Sequence, residues 1–335
     1  MKKIVLITVI VMLIATLNAG RYAGDFLSIG SGIKALGLGG AFTSIADDGS
    51  AIYWNASGIG QIKKSQAFLM RASLYENLAT YDFASFCQPL PNDVTIGVSW
   101  TRLSIQDIPE FSESHLVGTN VDQRSSNLHL HLPGQPDGTF DSYDDLLQFA
   151  FAKHIHHKIN MGWLFFKLPV DFYFGGSIKY VKRQVYGFMG SGTGFDLSFL
   201  VDTSLGALVD VNWLGHIRSG LNFQNIGGTT VTWDLQSNHS DEILLNTKFG
   251  LSLVQPISPL NSQIIFSFDK DYVYGGQDHY GFEYQYNSNV FVRTGYYDEN
   301  ISAGASYKFM NFLIDYGFVT NALGYTNRVG LQLEF

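Results

Sequence analysis

Hydrophobic and polar residues alternate along most of this chain, and the alternation is clearest at its C-terminal end. The segment NRVGLQLEF, residues 327–335, places apolar side chains at every second position from Val329 to Phe335. Its other face carries Arg328, Gly330, Gln332 and Glu334. Because successive side chains of a β-strand point to opposite faces, this segment predicts a strand with one apolar face and one polar, glycine-containing face.

The same pattern recurs upstream, and charged residues and glycines share one face each time. It is seen in HIRSGLNFQN, LLNTKFGLSLV, YGFEYQY, ISAGASYKF and FLIDYGF. A soluble β-sandwich also alternates, but its strands average about five or six residues. Here the alternating segments run to about nine to eleven residues and their apolar faces are rich in Phe and Tyr, which is typical of strands that cross a bilayer at a tilt.

Fourteen such strands can be placed along the chain. They start near residues 67, 79, 94, 146, 171, 194, 216, 243, 263, 279, 290, 301, 312 and 326. An even number suits a bacterial single-chain barrel, and such barrels have short periplasmic connections and longer outer ones. The long connections 104–145 and 227–241 then lie outside, and the short connections 255–261 and 287–289 lie inside. The connection 154–169 is too long for an inner turn, so we expect the fourth and fifth strands to extend into it.

The size of such a barrel predicts a plug. Side chains nearly fill a barrel of eight strands, whereas sixteen to eighteen strands leave an aqueous channel. The only long segment without strand alternation, 21–62, is the candidate for filling part of the lumen. The predicted fold is therefore all-β: a transmembrane antiparallel β-barrel of about fourteen strands over 63–335, with an N-terminal hatch over 21–62 inside the lumen.

The first twenty residues have the features of a secretory signal peptide. Lys2 and Lys3 precede an apolar run over 4–17, and the small residues Ala19 and Gly20 follow it. The run is too short to span a bilayer comfortably. Loss of the two leader lysines would change the net charge from −8 to −10, and an acidic chain argues against nucleic acid as a partner. The single cysteine, Cys87, excludes an intramolecular disulfide.

The predicted hatch contains a long motif, GIKALGLGGAFTSIADDGSAIYWNASGIG, at residues 32–60. It resembles the N-terminal signature of the PorV/PorQ family of outer-membrane proteins, which belongs with the FadL-like fatty-acid transporters. The matching residues are Gly32, Ala35, Leu36, Gly37, Gly39, Gly40, Ala41, Phe42, Thr43, Ala46, Asp47, Asp48, Ala51, Tyr53, Trp54, Asn55 and Gly58. Two departures are Leu38 in place of Met and Ala56-Ser57 in place of Pro-Ala, and loss of the proline frees a fixed φ after Asn55.

The resemblance implies a fourteen-stranded barrel in the bacterial outer membrane, surrounded by outer-membrane lipid and with the hatch folded inside. The terminal Phe335 is then the signal that the outer-membrane assembly machinery recognises. PorV-like members serve type IX secretion and tether exported proteins or secretion-complex subunits. FadL-like members admit hydrophobic small molecules through the barrel and out of its wall. We expect a PorV-like role first, with the loop 104–145 as the partner surface, and FadL-like uptake of fatty acids or other hydrophobic compounds as the alternative.

The polar faces of the strands predict which charges line the lumen. Those expected to face inward are Arg71, Asp82, Asp196, Arg218, Lys248, Asp269, Glu283, Arg293, Lys308, Asp315, Arg328 and Glu334. Opposite charges in this set can pair with each other or with Asp47 and Asp48 of the hatch. This favours a hatch held by ion pairs over an apolar conduit.

The residues offer little support for catalysis, so we predict a protein that is no enzyme and needs no cofactor. Asp47 and Asp48 are adjacent and need not converge on one ligand, and no His or Cys lies nearby. The glycines at 37, 39 and 40 complete neither a dinucleotide-binding motif nor a Walker loop. Close backbone packing explains them better.

Two groups of histidines resemble metal ligands. One comprises His154, His156 and His157, and in the other His129 and His131 alternate on one strand face. Both groups lack acidic or cysteine residues at the spacing of known ligand sets. The sequence therefore favours the absence of a metal site over the alternative that these histidines bind metal.

Overall fold

The structure is a computed structural model that describes residues 24–111, 136–160, 162, 167–235, 239–272 and 276–335. The predicted signal peptide, the pair His129 and His131, and most of the predicted outer connection 104–145 lie outside the described residues.

Within these described ranges, the sheet has sixteen antiparallel strands. They are β1 Gln66–Leu74, β2 Ala79–Leu90, β3 Val94–Glu110, β4 Gly138–Asn160, β5 Lys167–Val185, β6 Phe188–Ser204, β7 His216–Gln224, β8 Thr229–Trp233, β9 Ser240–Ile243, β10 Asn246–Ile257, β11 Ser262–Asp271, β12 Gln277–Tyr286, β13 Val290–Tyr297, β14 Asn300–Phe309, β15 Phe312–Val319 and β16 Thr326–Glu334. All but β8 and β9 form a ring in which β1 pairs with β16 and β5 with β6. The predicted all-β fold, a closed barrel of fourteen strands, is confirmed.

The hairpin of β8 and β9 begins in the predicted outer connection 227–241 and extends two residues beyond it, to Ile243. It is attached to β6 through the register pairs Gly190 with Trp233 and Ser191 with Thr232. A β-carbon on Gly190 would stand 2.8 Å from the Trp233 ring, so the glycine allows this close contact. These strands of five and four residues are too short for their alternation to be noticed in the sequence.

Strand length divides the barrel into two parts. The strands β3, β4, β5 and β6 have 17 to 23 residues, whereas β12 to β16 have 8 to 10. The pairing of β4 with β5 continues to Asn160 and Lys167, which confirms the expected extension into 154–169. The predicted loop 104–145 was too long, since β3 continues to Glu110 and β4 begins at Gly138.

The two ends of the barrel differ in their connections. The loop end carries the connection between β3 and β4 and the hairpin of β8 and β9. The turn end carries the C-terminus and short turns such as those at 92–93 and 287–288, where both central residues have positive φ. Such two-residue turns match the twist of the strands that they join. By the general rule for these barrels, the loop end is the outer end.

Short helices complete the described chain. They are α1 Ile33–Gly37, α2 Ala51–Trp54 and α3 Leu205–Val209, with 3₁₀ turns at Asp25–Leu27, Ala56–Gln61, Tyr75–Asn77 and Ser258–Leu260. Among the described helices, none combines the length and apolar character needed to cross a membrane.

The core of the molecule lies within the lumen, between the N-terminal segment and the barrel wall. From Gly30 to Gly60 almost every residue is buried. The apolar residues with at most 1% exposure include Ile33, Leu38, Phe42, Ile45, Ile52 and Ile59. The outward faces of the strands instead expose apolar residues such as Phe266, Ile314 and Leu331. We call residues 24–62 the hatch.

Candidate functional site: hatch, vestibule and outer groove

The hatch backbone contacts the barrel wall at inward-facing glycines. A β-carbon on Gly220 would stand 2.3 Å from the carbonyl oxygen of Thr43, and one on Gly175 would stand 2.3 Å from the amide nitrogen of Ser57. The same holds for Gly295, where the nearest atom is the amide nitrogen of Gly39 at 2.1 Å. A side chain at any of these wall positions would displace the hatch. The glycines of the polar strand faces therefore make room for it.

Wall side chains also satisfy the backbone groups of the hatch. The Asp269 carboxylate accepts hydrogen bonds from the backbone N–H of Phe42 at 2.9 Å and of Thr43 at 2.7 Å. The Asn222 side chain donates to the carbonyl oxygen of Trp54 at 2.6 Å. Arg328 donates to the carbonyl oxygen of Gly30 at 2.9 Å. Since buried backbone groups need partners, these residues hold an irregular segment in place.

An ionic network joins the hatch to strands β12, β13 and β15. Lys34 of the hatch lies 2.7 Å from Asp47 and 3.9 Å from Glu283. Glu283 forms an ion pair with Arg293, whose guanidinium lies 3.5 Å from Asp315. The side chains of Glu283 and Arg293 are at most 2% exposed. One network thus ties the hatch to the wall.

The two hatch aspartates have different partners. Asp47 pairs with Lys34, as the distances above show, whereas Asp48 accepts hydrogen bonds from the backbone N–H and hydroxyl of Ser50 at 2.8 and 2.6 Å. Burial, together with the neighbouring charge of Asp47, raises the pKa of the Asp48 carboxyl to about 6. Burial lowers the pKa of Lys34, but the carboxylates of Asp47 and Glu283 outweigh burial, and the net change is upward.

The remaining predicted lumen charges pair along the inner wall. Asp196 lies 2.7 Å from Lys179, and Lys248 lies 2.7 Å from Asp271. Arg218 lies 2.8 Å from Asp202, and Lys308 lies 2.9 Å from Glu334. The ion-pair partners Lys179, Asp202 and Asp271 were not among the residues predicted to line the lumen, because strand register decides which charges lie next to each other.

The lumen prediction was wrong for Arg71 and Asp82. These two side chains lie 3.6 Å apart on the outer face, and that of Arg71 is 72% exposed. The inward faces of β1 and β2 instead carry apolar residues, including Phe68, Tyr81 and Phe83, which pack with Ile33 of the hatch. Because the wall is apolar where it meets the hatch, the usual polarity of the two faces is reversed there.

The terminal Phe335 lies at the turn end, where its backbone N–H donates to the carbonyl oxygen of Ser65 at 2.9 Å. Its ring stacks on Phe86 at 6.2 Å between centroids. The side chain faces outward and is 60% exposed. The position lies at the last strand of the barrel, next to the start of β1.

A cavity of about 280 Å³ opens at the loop end, above the hatch. We call it the vestibule. Its floor is formed by hatch residues Leu36, Gly39, Gly40, Tyr53 and Trp54, and its wall includes Gln148, Asn246, Lys248, His279, Tyr297 and Arg328. The hatch glycines Gly39 and Gly40 have φ of 65° and 82°, values that side chains rarely adopt.

The vestibule wall contains polar atoms that are buried yet lack a hydrogen-bond partner among the described residues. They are Gln148 Oε1, Asn246 Oδ1, His279 Nε2 and Arg328 Nε. The Arg328 guanidinium forms no ion pair with a described carboxylate, and it lies over the Tyr81 ring at 5.6 Å. Buried polar groups are normally paired, so the hydrogen-bonding capacity of these wall residues is not fully used within the described part of the chain.

A second concavity, of about 740 Å³, lies on the outward face of β10 to β14. We call it the outer groove. Outward apolar side chains form its sides, and small residues of the wall form its floor: Leu251, Phe266, Tyr280, Phe282, Tyr296 and Ile301, with Ser267, Gly281, Thr294 and Gly295. It is therefore an apolar recess in the surface that faces the bilayer.

The vestibule and the outer groove lie on opposite sides of one short hatch turn. Gly39 lines the vestibule, its amide touches Gly295, and Gly295 lines the outer groove. Leu38 of the same turn lies against Gly281, where a β-carbon would stand 2.8 Å from its carbonyl oxygen. Within the described residues, the hatch turn and the strand backbone lie between the two spaces at this point.

The candidate metal ligands divide between the two faces of β4. His154 and His156 contact Asp171 of β5, whereas His157 is the register partner of Val170 and faces the other way. Across the described residues, no group of three or more His, Cys, Asp or Glu side chains is arranged as a ready-made metal cage.

No protein-family model matches the chain, and no curated protein matches it. Solved structures do match. The toluene transporter TbuX of Ralstonia pickettii is 12% identical, with a TM-score of 0.51 over 91% of this chain and 98% of TbuX. The toluene transporter TodX of Pseudomonas putida is 10% identical, with a TM-score of 0.51 over 90% and 96%. The monoaromatic hydrocarbon channel CymD is 11% identical, with a TM-score of 0.50 over 92% and 98%. The chain thus has the fold of outer-membrane barrel channels.

Proposed function

We propose that this protein is a channel for hydrophobic small molecules in the bacterial outer membrane and that it catalyses no reaction. The observation that carries the proposal is the hatch turn at Leu38 to Gly40, which separates an outer vestibule from an apolar groove in the barrel wall. The structural neighbours support the same class of solute, since TbuX and TodX are toluene transporters and CymD is a monoaromatic hydrocarbon channel.

In this proposal a solute enters from the loop end and is held in the vestibule. The aromatic and aliphatic floor residues Tyr53, Trp54 and Leu36 supply apolar contact area. Polar wall residues such as Gln148, Asn246 and Lys248 line the same cavity and can orient a polar group that the solute carries. Movement of the hatch turn would then connect the vestibule with the outer groove.

The ionic network does not argue against this route. Lys34, Glu283, Arg293 and Asp315 lie along one side of the hatch and are paired among themselves. The hatch turn at Leu38 to Gly40 is held mainly by backbone contacts with glycines and by a hydrogen bond between His279 and the carbonyl oxygen of Gly39 at 2.6 Å. We infer that the charges anchor the hatch while its turn remains the movable part.

A PorV-like role in secretion is the other function that the sequence motif suggests. Its expected partner surface was the loop 104–145, and the described residues of that segment are, apart from 111, 136 and 137, strand residues of β3 and β4. Among the described residues, we find no surface that favours an exported protein as partner over a solute. The transport proposal therefore takes precedence.

Purification from detergent distinguishes the two functions. We expect an organic extract of the purified barrel to contain a hydrophobic small molecule. We expect less of it from Thr294→Trp, because the larger ring would fill the outer groove, the second space that a solute occupies on this route. The matched control is Ala305→Trp, an outward residue on β14 that does not line the groove. The transport proposal would be contradicted if exported proteins that share one domain co-purify with the barrel and the organic extracts of the parent, Thr294→Trp and Ala305→Trp are the same. That result would favour tethering.

A further inference from the structure

The turn-end parts of β4 and β5 bring together two histidines and an aspartate. His154 and His156 lie on the same face of β4, and Asp171 is the register partner of His156 on β5. The Nε2 atom of His154 lies 2.7 Å from Asp171 Oδ1, and the Nδ1 atom of His156 lies 2.9 Å from the same oxygen. Three atoms of the kinds that bind transition metals therefore converge on one point.

The neighbouring strand makes this point favourable for a cation. Asp171 faces Asp202 of β6 in register. Asp202 accepts hydrogen bonds from Arg218 at 2.8 Å and from His216 at 2.7 Å. The ion pairs of Asp171 within the described part of the chain are with the two imidazoles alone. Asp202 thus has a guanidinium as a partner, whereas among the described residues the ion-pair partners of Asp171 are imidazoles, which are also metal ligands.

We propose that His154, His156 and Asp171 bind a divalent transition-metal ion of the Zn²⁺ type. Two imidazole nitrogens and one carboxylate oxygen are a ligand set that zinc accepts, with water completing the coordination. Hard cations such as Mg²⁺ prefer oxygen ligands and would not bind here. The site lies at the turn end, away from the vestibule, so the proposal is independent of the transport function.

The observed geometry is that of a hydrogen-bonded triad, and on metal binding the proton that each imidazole shares with Asp171 would move to the other nitrogen of its ring or to solvent. Metal–ligand distances of about 2.0–2.1 Å in a tetrahedral site put ligand atoms about 3.3 Å apart. The observed N···O distances of 2.7 and 2.9 Å therefore have to open by roughly half an ångström, a change that side-chain rotation can supply. This explains why the described residues form no ready-made cage.

The surroundings hold the ligands in place yet leave the site accessible. The His154 ring stacks on Tyr173, with centroids 4.5 Å apart and planes inclined by 12°. The side chains of His156 and Asp171 are 49% and 31% exposed. One ligand is thus oriented by packing, and the other two can be reached from solution.

The sequence spacing hid this site, because its acid lies on the next strand, 15 residues after His156. A His-x-His pair on one strand with a carboxylate directly across from it is recognised only when the register is known. The sequence prediction of no metal site considered local spacing alone, and local spacing does not include this carboxylate.

The test is calorimetric titration of the tag-free, metal-stripped barrel in detergent with ZnCl₂, then with MgCl₂. We expect one equivalent of Zn²⁺ to bind and Mg²⁺ to give no saturable heat. His156→Gln should weaken Zn²⁺ binding at least tenfold, and Asp171→Asn should weaken it to a similar degree.

His157→Gln is the matched control, since this neighbouring histidine points to the opposite face; it should leave the affinity unchanged within about twofold. Heat-modifiable migration establishes that each variant forms a folded barrel. Absence of saturable Zn²⁺ binding by the parent protein, or equal losses for His156→Gln and His157→Gln, would overturn the proposal.

Discussion

The amide nitrogen of Gly39 lies 2.1 Å from the position that a β-carbon on Gly295 would occupy. The hatch turn and β13 therefore meet backbone to backbone, at the place where the vestibule and the outer groove come closest. Valine is otherwise well suited to a β-strand, so any loss of stability caused by Gly295→Val comes from this contact with the hatch turn. We expect the substitution to displace the hatch turn.

The displacement can be measured as ion conductance across planar bilayers. Gly295→Val should give larger or more frequent channel openings than the parent protein, because the displaced turn no longer fills the lumen. Thr294→Val, on the outward face of the same strand, is the control and should conduct like the parent. Equal conductance for all three proteins would show that the hatch turn does not close the lumen at this point.

Asp269 is expected to be the strongest single hydrogen-bonding anchor of the hatch, since its carboxylate accepts two backbone N–H groups. Asp269→Ala leaves both donors without this partner and should destabilise the protein by about 1–3 kcal/mol. Asp269→Asn keeps an acceptor oxygen and should cost less. Thermal unfolding in detergent measures both. An alanine variant as stable as the parent would show that the two hydrogen bonds do not anchor the hatch.

A charged residue introduced into β16 is expected to have a different effect on each face of the strand. Leu331 faces outward and Gln332 faces inward. Leu331→Arg places a charge against the lipid and should reduce stability by about 2–4 kcal/mol near the bilayer midplane. Gln332→Arg should cost clearly less. Folding into lipid vesicles at a series of urea concentrations gives both values, and equal losses would contradict the assignment of the two faces.

The buried Asp48 carboxyl predicts the direction in which the stability of the folded protein changes with pH. Its pKa is raised to about 6 in the folded protein, above the usual value near 3.9 for an unfolded chain. Protonation of Asp48 therefore favours the folded state. The stabilisation that the protonated carboxyl contributes is complete below about pH 4 and is lost as the pH rises through about 6. Asp48→Asn keeps a neutral acceptor for Ser50 and removes this dependence.

The difference in unfolding temperature between Asp48→Asn and the parent should thus be small at pH 4 and should increase, in favour of the variant, up to pH 7. Measuring the difference between two proteins cancels the other carboxyls that titrate over this range. A difference that stays constant, or one that favours the parent at pH 7, would show that Asp48 is not held in a protonation-sensitive site.

Much of the barrel could be predicted from alternation alone. Strands with charged and glycine-containing inner faces, such as β13 and β16, were placed to within a residue, because lipid and lumen demand opposite polarity. The alternation was misread in β1 and β2, where Arg71 and Asp82 face outward. Alternation alone does not say which face is inside, and there the inner face is apolar because it packs against Ile33.

The candidate site was harder to predict from the sequence than the barrel strands were. The hatch motif and the glycine-rich faces were both recognised, but their mutual fit depends on a three-dimensional register that no local pattern encodes. Asn222 and His279 contact the hatch backbone from 168 and 240 residues away, and nothing in their local sequence marks them as hatch contacts. The outer groove is likewise formed by outward residues of several strands, each of them ordinary for a lipid-facing position.

The most direct test of the proposed function is the initial rate of solute uptake by intact cells. The host is a Gram-negative strain with an undamaged lipopolysaccharide layer and no channel of this class, and the solutes are radiolabelled toluene and oleate. Cells that express the parent protein or Ala305→Trp should take up at least one of the solutes several times faster than cells with an empty vector. Cells with Thr294→Trp should be close to the vector. Uptake at the vector rate for both solutes, by cells that contain the folded parent barrel, would contradict the channel proposal.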